Sequence, residues 1–177
     1  IPSFNMFISQ KWADSQNILE NFKVFSDFTN KMKNELTFTR KEFAFLFLLY
    51  YLVVVESLYT LMVDIITFAL INVGKKLKKP CTDHVVMLFD ELEKIALGTK
   101  LDFLRSNGFK IVANQCNITL RNAAAHLNFT IDYEGNIIYK GGVVTVFDDM
   151  NRIWDKITEA AISSFIALKH FYYEKYG

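Results

Sequence analysis

The sequence predicts an all-α protein: a helical bundle of about five helices with a short β-hairpin inserted before the last helix, in one domain over residues 1–177. Three observations lead there. Stretches near both ends place apolar residues three and four apart among polar ones, the period of a helix with one buried face. Between them, Thr39-Arg40-Lys41-Glu42 has the form of a capping box directly ahead of 13 uncharged residues, Phe43 to Val55. By contrast, Phe129 to Tyr139 alternates apolar and polar residues at the strand period. A chain of 177 residues has the length of one domain with a sizeable core.

In chain order, a first amphipathic helix is expected from about Ser9 to Asn34. Trp12, Leu19, Phe22, Val24, Phe25, Phe28 and Met32 form the face that packs on the second helix. That second helix starts at the capping box, where Thr39 accepts from the backbone and Glu42 reaches back. Being apolar all round, it fits the buried centre of a bundle. A membrane span needs about 20 apolar residues. Glu56 and Asp64 interrupt the run, and each would cost about 2.5–3.5 kcal/mol at a bilayer centre. No stable membrane insertion is therefore expected, although Lys75, Lys76, Lys78 and Lys79 beyond the helix have the form of a positive flank. Those lysines also read as solvated connector charges or as contacts to an RNA backbone. Gly74 stops the long helix.

A third helix is expected from about Thr82 to Leu97, closed by Gly98, with His84 near its start as a surface or capping residue. Thr99 and Asp102 indicate a short capped helix to Ser106, ended by Asn107-Gly108. The next helix runs from about Lys110 to Leu127. Two strands follow around Glu134-Gly135-Asn136, with Gly141-Gly142 as their end. The last helix is expected from about Asp148 to Lys175, capped by Asp148 or Asp149, with Ile153, Trp154, Ile157, Ala160, Ala161, Phe165, Leu168 and Phe171 as its core face.

Composition narrows the function. A net charge of +1 excludes a strongly basic nucleic-acid coat, so any RNA binding must be concentrated in one groove. Cys81 and Cys116 have no metal-ligand spacing and form no disulfide framework, and both read as buried or incidental thiols in a reducing interior. Ile1 to Gln10 lacks the basic start and continuous apolar core of a secretory leader, so a cytoplasmic protein is expected. The sequons at Asn117 and Asn128 are then coincidental. No Gly-rich phosphate loop, no nucleophile elbow and no metal-ligand cluster is visible in the sequence, so no cofactor is expected.

One stretch remains, Leu120-Arg121-Asn122-Ala123-Ala124-Ala125-His126. A guanidinium pairs with phosphate oxygens through parallel donors, and an imidazole exchanges protons near neutral pH. Together they suit phosphoryl chemistry. Asn122 and His126 are four apart and would share a helical face, so Asn122 is expected to orient the imidazole. The three alanines carry no bulk, so another backbone, a partner helix or a phosphate could approach closely; ordinary helix filler is the competing explanation. Glu56, a carboxylate in an apolar helix, needs a partner, and Arg121 is the candidate. Asp64 is the alternative acid, and an ion pair of purely structural role is the competing explanation for Glu56. His170 reads as packing or surface.

At Arg121, Asn122 and His126 the chain resembles the HEPN superfamily (higher eukaryotes and prokaryotes nucleotide-binding), whose signature is Arg, a polar residue often Asn, a short spacer, then His. The likeness extends in outline from about Arg40 to Tyr176, and only the six-residue motif is specific. It implies a helical bundle that dimerises with the two motifs face to face. In many members it implies a metal-independent ribonuclease in defence, toxin or RNA-processing roles, at times held by an antitoxin or regulatory protein. An acidic residue often stands on the helix corresponding to that of Glu56. Some members have lost catalysis, so a nucleotide-binding or protein-interaction module is the alternative. In a variant of the family a tyrosine two residues after the motif His is modified by a paired nucleotidyltransferase; Asn128 stands there in this chain.

The expected activity is cleavage of RNA by its own 2′-hydroxyl. His126 would move the proton, and Arg121 would stabilise charge on the phosphorane oxygens. One imidazole cannot serve as base and acid in a concerted step, so a homodimer is expected to supply a second His126.

Overall fold

A computed structural model describes residues 4–35, 37–87, 89–145 and 148–176. The protein is mostly helical, with a small antiparallel sheet before its last helix. Its order is α1 (Phe4–Glu35), α2 (Arg40–Asn72), α3 (Phe89–Glu93), α4 (Leu97–Ser106), α5 (Lys110–Ala113), α6 (Ile118–Ala125), β1 (Phe129–Ile131), β2 (Ile137–Tyr139), β3 (Gly142–Val144) and α7 (Asp148–Tyr176).

Helix α2 is the axis of the bundle. The capping box that starts it is complete: the Glu42 amide donates to Thr39 Oγ1 at 3.3 Å, and the Thr39 amide donates to Glu42 Oε2 at 2.8 Å. The Thr39 amide and hydroxyl both donate to the Glu42 carboxylate and hold it below its usual range. The first half of α2 buries Ala44, Leu48, Tyr51 and Val54 against α6, α7 and the sheet. Its second half buries Leu61 and Phe68 in a second cluster with Ile8, Leu77, Val86, Leu92 and Phe103. By length and composition α2 could cross a membrane, and half of its most apolar window is buried inside the fold.

Several elements differ from the expectation. The N-terminal part of α1 packs on α7 and the second half of α2, with Trp12 stacked on Phe165 at 5.7 Å between ring centroids. Beyond Leu19 every described side chain of α1 is exposed, Val24 and Phe28 included, while the side chains of Phe22, Phe25 and Met32 lie outside the described residues. Helical periodicity predicted a helix there correctly but not what covers its far half.

The third helix shrinks to α3. Upstream of it Lys78 and Val85 form an antiparallel bridge, and the Val86 amide donates to Leu77 O at 2.7 Å. Glu91 locks this irregular segment, accepting from the Met87 amide and from Lys79 Nζ and meeting His84 Nε2 at 2.7 Å. The valines thus alternate as in a strand. Helix α4 starts at Leu97 with Gly98 inside it and no side-chain cap from Thr99. It stops at Asn107-Gly108 as expected, Gly108 taking φ 93°.

The expected helix over residues 110–127 is broken into α5 and α6. Asn117 causes the break, because its side chain accepts from the Leu120 amide at 3.0 Å and caps a new helix. The hairpin gains a third strand, so Gly141 lies in a turn and Gly142 opens β3, and neither ends the sheet. In the first turn Asp132 Oδ1 accepts from the amides of Glu134 and Asn136 at 2.9 and 2.8 Å. A Cβ on Gly141 would fall 2.6 Å from the Tyr139 ring and 2.9 Å from Thr119. Glycine there lets the β2–β3 turn lie directly on the start of α6. On α7, Asp149 sits in the first turn and accepts from the amide and hydroxyl of Thr145 at 3.1 and 2.8 Å. Ala161 and Phe171 have side chains outside the described set.

Candidate functional site

The site forms where the middle of α2 meets α6. Val55–Tyr59 of α2 is a π-helical turn, in which Thr60 Oγ1 reaches back to Val55 O at 2.7 Å and Ser57 Oγ to Val53 O at 2.6 Å. Such single wide turns are frequent at functional positions. Val55, Leu58 and Tyr59 turn inward, and Glu56 faces outward.

Glu56 Oε1 accepts from Arg121 Nε, forming an ion pair between a carboxylate whose side chain is 44% exposed and a guanidinium that is 26% exposed. A second donor of the same guanidinium, NH1, reaches Asn122 Oδ1 at 2.9 Å. The hydrogen bond that Arg121 donates to Glu56 fixes the positive charge still more firmly on the guanidinium. Two anchors therefore hold the guanidinium plane, and among the described residues NH2 has no hydrogen-bond acceptor. A fixed, partly exposed guanidinium with an unused donor edge is suited to an incoming phosphate.

His126 is the C-cap of α6, exposed, with its amide donating to Asn122 O at 3.1 Å. Among the described residues its imidazole has no hydrogen-bond partner. Asn122 does not orient it, contrary to the expectation from their spacing. His126 has already left helical geometry (φ −104°, ψ 7°), so the rule that places side chains four apart on one face no longer holds, and Arg121 has taken the amide oxygen. Leu127 follows at φ 54°, and the Asn128 amide closes the helix on Ala123 O at 2.8 Å. Of the close approaches that the alanines allow, the structure shows one within this chain. Ala123 and Ala124 are buried in this chain's own interior, and Ala125 is exposed. Small size here lets α6 approach α2.

Beneath the site lies a neutral, hydrogen-bonded floor that the sequence did not reveal. Tyr51 Oη donates to Asn117 O at 3.2 Å, accepts from the Asn117 amide at 3.0 Å, and stands 3.7 Å from Cys116 Sγ. Burial pushes the Cys116 thiol up to about 11 and raises the Tyr51 phenol further, so neither carries charge near neutral pH. The Asn117 side chain also donates to Tyr139 Oη at 2.8 Å, joining α6 to the sheet. An asparagine ahead of an apolar helical turn is the one signal that could have identified it.

The other candidates lie elsewhere. Asp64 pairs with Lys100 at 2.6 Å in the interior. His84 belongs to the Glu91 cluster, and His170 stands 3.1 Å from Glu174 on α7. Cys81 is exposed and not buried. Lys78 and Lys79 pair with Asp83 and Glu91, while Lys75 and Lys76 are exposed. Among the described residues no group of three His, Cys, Asp or Glu side chains could hold a metal ion. No family model, curated protein or solved structure matches this chain.

Proposed function

We propose that the protein is a metal-independent endoribonuclease of the HEPN type, acting on RNA at a composite site in a cytoplasmic homodimer without membrane insertion. The observation that carries this reading is Arg121, held by Glu56 and Asn122 in the middle of a short helix whose C-terminal end presents the imidazole of His126, which has no hydrogen-bond partner among the described residues. The substrate's 2′-hydroxyl attacks the adjacent phosphorus, and the 5′-oxygen leaves. His126 takes the proton from the nucleophile, and His126 of the second copy delivers one to the leaving oxygen. Arg121 bears on the non-bridging oxygens as their charge grows. Glu56 and Asn122 act through Arg121 as positioning residues. A defence, toxin or RNA-processing role, with an antitoxin or other regulatory protein as partner, accords with such an activity.

The test is cleavage of varied RNAs in excess EDTA by the unmodified chain and by His126→Ala and Arg121→Ala, with circular dichroism as the check on folding. Both variants should keep the helical signal and lose cleavage. Equal cleavage by folded His126→Ala would end this assignment. A second reading is favoured by the absence, among the described residues, of an orienting partner for His126: a non-catalytic module that binds a nucleotide or a protein on the same face. Tight nucleotide binding without cleavage of any RNA would select it.

A further inference from the structure

Resting on that nuclease reading, we infer that RNA reaches the site as a single strand laid along the first half of α2 and out to the β1–β2 turn, with its bases stacked on Phe45 and Tyr133. Two chain paths lead from the site to that turn. On α2, Lys41, Phe45 and Leu49 stand at successive four-residue steps and Glu56 two further turns on, a single stripe on the outward face. Phe45 and Leu49 are 42% and 40% exposed, whereas Ala44, Leu48 and Tyr51 are buried. From α6, His126 and the exposed Leu127 lead into β1, and two residues beyond its end stands Tyr133, at 93% the most exposed large hydrophobic side chain of the described residues.

The two paths meet at the far end. Lys41 Nζ sits 4.2 Å from the centre of the Tyr133 ring, and Phe45 contacts Phe129 of β1 at 6.3 Å between centroids. One face of Tyr133 is thus held by a cation and its other face is open to a base. Base–aromatic stacking accepts any base, and a nearby ammonium adds attraction for the backbone. The charges agree. Arg40 and Lys41 stand at one end, Lys140 is near the start of β1 by register, and Arg121 and His126 are at the other end. Of the acids nearby, Glu42 and Asp132 are tied into the capping box and the turn, leaving Glu134 exposed beside Tyr133. From Lys41 to Glu56 the track is about 22 Å long at 1.5 Å per residue. About six stacked nucleotides, or fewer extended ones, cover that length. A duplex cannot offer its bases to such rings.

The experiment uses the full chain carrying His126→Ala, so that RNA stays intact, and measures binding of a labelled single-stranded RNA long enough to span the track. Phe45→Ala and Tyr133→Ala should each weaken binding about tenfold. Tyr133→Phe should bind like the parent, and so should Ile162→Ala, an exposed apolar residue on α7 away from the track. Light scattering on the same samples should show unchanged mass. A double Phe45→Ala/Tyr133→Ala variant that binds like the parent would overturn the track. So would loss of binding that follows dissociation of a dimer, which would make this stripe a contact between copies. Cleavage by the unmodified chain is scored separately. Track-dependent binding without cleavage sinks the nuclease reading alone, and cleavage with track-independent binding sinks the track alone.

Discussion

Two carboxylates eight residues apart on α2 each hold one cation, and their surroundings are opposite. Asp64 and Lys100 are 7% and 3% exposed, and Lys11 stands nearby, bonded to Glu93 at 3.1 Å. Burial raises the Asp64 carboxyl while Lys100 pulls it down. Glu56 and Arg121 lie at the surface, and Arg121 keeps donors unused. The same pairing chemistry serves structure where the charges are sealed in and leaves a charge on offer where they are not. A shift of two turns along the helix separates the roles.

The largest expected effect breaks the buried member. Lys100→Ala leaves Asp64 without its partner in the interior and should cost about 3–5 kcal/mol in denaturant unfolding. Lys100→Met with Asp64→Leu should recover much of that, because neither charge then needs a partner. A loss under about 1 kcal/mol for Lys100→Ala would erase the distinction between the pairs.

At the exposed member the effects should invert. Glu56→Gln should change stability by no more than about 1 kcal/mol, as exposed pairs do. It should slow RNA cleavage about tenfold or more, since Arg121 loses the anchor that aims it. A variant that melts early yet cleaves normally would move Glu56 into the structural class with Asp64.

The smallest effect sharpens the comparison with an acid that pairs with no cation among the described residues. The side chain and amide of Asn136 hold the Asp132 carboxyl below its usual value of 3.8. A depressed folded value means that its contribution is present above the unfolded value and lost as pH falls through the folded one. Asp132→Asn should therefore destabilise the fold near neutral pH, with the deficit closing below about pH 4. Unfolding measured across that range checks the sign; a deficit that grows in acid would contradict it.

How much of this was legible in sequence follows the range of the forces involved. The capping box, the apolar rod, the strand alternation and the stop at Asn107-Gly108 are local signals, and each appears in the structure. Glu56 and Arg121 could be paired from afar because a carboxylate in an apolar run has few options. The π turn left no signal, since it depends on how α2 meets its neighbours. The competition between Arg121 and His126 for Asn122 was hidden for the same reason. So was the choice of Val85 and Val86 between helix and bridge, which Glu91 decides from a distance. Asn117 is legible as a helix cap, although the longer apolar pattern around it runs on as one helix.

The chemistry of the cut ends tests the central claim most directly. A defined RNA is incubated with the purified protein in excess EDTA, beside the same RNA with one 2′-deoxy sugar at the cleaved position. Attack by the 2′-hydroxyl predicts a 2′,3′-cyclic phosphate and a 5′-hydroxyl from the first, and no cut at that position in the second. A 5′-phosphate end, equal cleavage of the 2′-deoxy substrate, or activity abolished by the chelator would show instead that water attacks, activated by a metal ion, and would contradict the roles given to Arg121 and His126.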